Sequence, residues 1–161
     1  EFEIEFQGKI FHLEEIPVGY YIHGMANVLA MAQTLKHVFY PILDPVLEYL
    51  LPAMNYEVWE IQVIAILGQP TLLECAMDQY HVEQTEDLRE YVAKVCTKQW
   101  DAFMGKLGNI ENDTDLTSTC CVLSSVSRTI IILQGVIEPS MVSCQAFPIE
   151  NTSLTSDASP L

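Results

Sequence analysis

From Pro17 to Gly108 the apolar side chains recur at intervals of three and four residues, a pattern that commits most of the chain to packed helices. Val18, Ile22, Met25, Leu29, Ala32, Leu35 and Phe39 mark one face, widened by Tyr21, Val28 and Val38. A helix is expected from about Gly19 to Tyr40, ended or kinked by Pro41. Asp44-Pro45 reads as an N-cap with proline at the first helical position, and Pro52 as the close of that short helix. Val58 to Leu67 is almost continuously apolar, and Glu57 and Glu60 favour helix over strand there, with an end at Gly68. Gln69-Pro70 starts a further helix through Tyr80. Thr85 caps a long one, Glu86 to Met104, whose acids come first and lysines last, as the macrodipole favours.

The first residues follow a different period. Phe2, Ile4 and Phe6 alternate with Glu3 and Glu5, Gly8 sits where a tight turn needs positive φ, and Ile10, Phe11 and Leu13 supply a return strand. Past Gly108, residues 109–119 form an acidic, Asn/Thr-rich linker. Residues 120–137, rich in Val, Ile, Ser and Thr, read equally as a helix or as one or two strands packing on the domain. Residues 138–161, with Pro139, Pro148 and Pro160, read as an extended Ser/Thr/Pro tail. The expected fold is therefore mainly α: an N-terminal β-hairpin followed by a compact multi-helix bundle over residues 1–108, with a less regular C-terminal segment.

Charge narrows the function classes. A formal charge of -15 stands against only seven Lys and Arg, scattered from Lys9 to Arg128, so neither nucleic acid nor an anionic membrane surface is an expected partner. The longest apolar runs, near Ile61 to Leu67 and Thr129 to Leu133, fall short of the ~20 residues of a spanning helix. Five cysteines, an odd number with no C-x-x-C, fit reduced thiols in a cytoplasmic protein; Cys75 and Cys96 lie in apolar helical stretches, and Cys120, Cys121 and Cys144 follow later. The sequons at Asn112 and Asn151 hold open the alternative of a secreted glycoprotein.

No catalytic motif emerges. Ser125 lacks a G-x-S-x-G elbow, there is no P-loop or G-x-G-x-x-G, and nothing in the sequence names a cofactor. Cys75 or Cys96 would need His23, His37 or His81 brought beside it to act as a nucleophile pair. Glu74, Asp78 and His81, at i, i+4 and i+7, share one helical face and form half of a carboxylate-x-x-His metal pattern without a second half. Asn109, Glu111, Asp113 and Asp115 alternate as in a calcium loop, but Thr114 stands where its glycine belongs and Cys120 where its bidentate Glu belongs.

Apolar surface is the stronger signal. Ile42 to Met54 is apolar nearly all round, so Ile42, Val46 and Leu50, with the strand face of Phe2, Ile4 and Phe6, are the candidate interface residues. The opening Phe2 to Leu13, followed by Glu14-Glu15-Ile16-Pro17-Val18 and a helix, resembles the heads of phage tail-assembly chaperones; the likeness stops before Tyr40 and does not amount to membership. The expected function is a non-catalytic interaction or assembly protein that meets a protein partner or copies of itself. A helical protein holding a small ligand or metal among its aromatics is the alternative from another class.

Overall fold

The computed structural model describes residues 2–6, 8–13, 17–108 and 113–134, with side chains described at 8, 17–108 and 116–134. Five α-helices follow one another: α1 Val18–Leu35, α2 Leu43–Ala53, α3 Trp59–Glu83, α4 Glu86–Leu107 and α5 Asp113–Leu133, with a 3-10 helix, Lys36–Ile42, between the first two. Residues 17–108 and 113–134 make a helical body without a strand or sheet, which corrects the expected hairpin-headed fold to a multi-helix bundle. Antiparallel backbone pairing of Phe2–Phe6 with Lys9–Leu13 is confined to that segment and forms no packed layer with any helix. An isolated two-stranded ribbon is marginal in water, so an alternation of period two is not enough by itself to found a domain.

In the C-terminal part the helical alternative is the one observed. The stretch that read as helix or strand is α5, and it already begins at Asp113. Its Ser and Thr residues weaken intrinsic helix propensity, but burial of one face against α3 outweighs propensity.

α3 is the central element, packed against α1, the 3-10 helix, α2, α4 and α5 in turn. It buries Ile61, Ala65, Ile66 and then every residue from Gly68 to Leu73. The core around it holds Phe39, Leu43, Leu47, Leu50, Met54, Val92, Phe103 and Val122. At 25 residues it runs straight through Gly68 and Pro70, where the sequence suggested an end and a new start. Two features explain the continuity. Gly68 leaves room for α1, since a Cβ there would sit 2.5 Å from Leu29 Cδ1. Pro70 has no N–H to give the carbonyl of Ile66. The buried Ser125 hydroxyl of α5 donates to that same carbonyl at 2.9 Å, so the break in the helical ladder is closed from outside the helix.

The first helix also differs from expectation. α1 stops at Leu35 because Lys36 turns to φ 52°, ψ -121°, and the chain tightens into the 3-10 helix before reaching Pro41. α2 starts at Leu43, so Asp44 lies in its first turn rather than at the cap, and Pro52 lies inside it. At α4 the expected cap is present: Thr85 Oγ1 accepts from Leu88 N at 3.3 Å.

Candidate functional site

The acidic face read from sequence lies on the C-terminal half of α3. Glu74 and His81 are exposed and Asp78 is half-buried. Arg128 of α5 reaches Glu74 Oε2 at 3.5 Å, so Glu74 is part of the seam between the two helices. The His81 ring sits 6.1 Å from that of Tyr80. Among the described residues, no group of three or more His, Cys, Asp or Glu side chains is placed to hold one metal ion.

Beside this face, the 3-10 helix and the α3–α4 turn enclose an open groove of about 630 Å³, lined by His37, Tyr40, Gln79, Glu83, Thr85 and Asp87 among others. Tyr91 donates to Asp44 Oδ1 at 2.8 Å, and its ring meets Tyr40 edge-on at 5.2 Å and 81°. Burial, then the hydrogen bond and negative charge of Asp44, push the Tyr91 hydroxyl up. Burial pushes Tyr40 up as well, helped by Asp44 and Glu83. Gln79 Nε2 donates to Glu83 Oε1 at 2.6 Å, so these two lining groups are engaged with each other. Lys36 and Gln84, the non-glycine residues of positive φ among the described residues, adjoin this groove in sequence.

Burial holds three of the thiols, Cys75, Cys96 and Cys121, in their protonated form. Cys75 is buried, donates its Sγ–H to Ala32 O at 3.3 Å, and is pushed up to about 12 by burial first and then by Asp78 and Glu74. Burial raises Cys96, and raises Cys121 with Cys120 beside it. A protonated thiol at neutral pH is a core group rather than a nucleophile.

The candidate interface residues part company. Ile42 is exposed, Val46 is half-buried, and Leu50 belongs to the core. The side chains of Phe2, Ile4 and Phe6 lie outside the described residues, as do Asn109, Glu111, both sequons at Asn112 and Asn151, and Cys144.

The feature that reading by apolar runs missed is the outer face of α5. Its inward side is small and polar: Ser118, Val122, Ser125 and Thr129, at i, i+4, i+7 and i+11, are buried. Its outward side carries Leu116, Leu123, Ile130 and Ile131, which remain 55%, 53%, 51% and 63% exposed. Val122 is buried with the inward Ser and Thr residues, and Val126, Ile132 and Leu133 pack partly against the core, so α5 carries aliphatic residues on both sides where a surface helix normally keeps them inward. Leu116–Leu133 has a mean hydropathy of 1.6 with 22% of it buried, which makes α5, among the described residues, the helix long and apolar enough to cross a membrane by length and composition. Three contacts tie its inner side to α3: Ser125 to the Ile66 carbonyl, Arg128 to Glu74, and Ser118 Oγ to Gln62 Oε1 at 3.4 Å. The sequence signal was present as two interleaved spacings of seven, Ser118 with Ser125 and Leu116 with Leu123 and Ile130. No family model, no curated protein and no solved structure matches the chain.

Proposed function

We propose that this is a non-catalytic interaction or assembly protein, in which an exposed helical surface meets a protein partner or further copies of the chain. The observation that carries this reading is the outer face of α5, where four large aliphatic side chains are about half exposed while Ser118, Val122, Ser125 and Thr129 are buried behind them. Such a face gains free energy only when something covers it, at about 25 cal/mol per Å² of apolar surface removed from water. The raised Cys75 thiol and the pairing of Gln79 with Glu83 in the groove support a binding role over catalysis.

Native mass spectrometry of the purified chain, followed by the same sample under denaturing conditions, tests the reading. A defined oligomer, or a stoichiometric protein complex that dissociates on denaturation, is the expected outcome. A monomer carrying a metal or small-molecule mass that is lost on denaturation would overturn it.

A further inference from the structure

We draw no further inference here: the strongest candidate, the outer aliphatic face of α5 formed by Leu116, Leu123, Ile130 and Ile131, carries none because nothing in the structure shows what covers it.

Discussion

Ser125 illustrates how one side chain answers a defect set elsewhere in the sequence. Pro70 deprives the Ile66 carbonyl of its helical donor, and the Ser125 hydroxyl, 59 residues later in the chain, supplies one at 2.9 Å in a buried setting. Leaving a buried carbonyl unpaired costs about 1–3 kcal/mol, so Ser125→Ala is expected to lower unfolding free energy by that amount in urea titration. In a Pro70→Ala background the backbone N–H returns, and the same Ser125→Ala change should cost clearly less; equal costs in the two backgrounds would dissociate Ser125 from the proline. Cys75 carries a pH consequence. Burial pushes it up to about 12, above the 9.0 of a free thiol, so the folded state prefers the protonated form. That stabilisation is fully present below pH 9 and is lost as pH rises from there through about 12. Tyr91, Tyr40, Tyr49, Cys96 and Cys121 shift in the same direction and add to the alkaline loss. Stability measured by denaturant titration should fall from roughly pH 9 upward, less steeply in Cys75→Ala. Iodoacetamide at neutral pH should label exposed Cys120 well before Cys75.

Among the elements, α3 and α5 define one another. α3 can approach α1 closely because position 68 has no side chain: a Cβ there would lie 2.5 and 2.7 Å from the two methyl carbons of Leu29. Gly68→Ala is expected to destabilise by about 1–3 kcal/mol through overpacking, despite the better helix propensity of Ala. Thermal unfolding should show Leu29→Ala costing less in the Gly68→Ala background than alone, because the new methyl occupies space that Leu29 vacates. Much of the element pattern was legible in the sequence. Thr85 before Glu86 and Asp87 announced α4, and the apolar stripe from Val18 to Leu35 announced α1. The ends were less legible: Lys36 breaks α1 in a positive-φ conformation that no local residue preference signals. The candidate site was hardest to read. The acidic face of Glu74, Asp78 and His81 was drawn from spacing alone, and spacing could not show that Glu74 meets Arg128 from another helix.

For the molecule as a whole, one helix holds the fold. α3 touches the 3-10 helix and every other α-helix, and its buried Gln69 accepts from Gln99 Nε2 of α4 both at its carbonyl, 2.8 Å, and at Oε1, 3.1 Å. A bundle built around one shared element has no independent half to unfold first. Denaturation followed by Trp59 and Trp100 fluorescence is therefore expected to coincide with loss of helical circular dichroism in a single transition. Two separated transitions would show that α5, or the α1–α2 half, detaches on its own. The same centrality leaves α5 with only one side covered, which is why apolar surface remains on the other.

The sequence by itself determined that the chain is helical over most of its described length, that α4 begins at a Thr cap, and that its charge is strongly negative. These follow from local chemistry: periodicity, capping and composition act within a few residues. The tertiary structure alone decided that α3 continues through Gly68 and Pro70, that residues 113–133 are helix, and that α5 turns Leu116, Leu123 and Ile130 outward. Each of those depends on a distant partner: Leu29 beside the glycine, Ser125 on the orphaned carbonyl, and α3 taking up the small polar side of α5. A propensity of a few tenths of a kcal/mol per residue yields to contacts worth one or more, and those contacts exist only once the chain has folded.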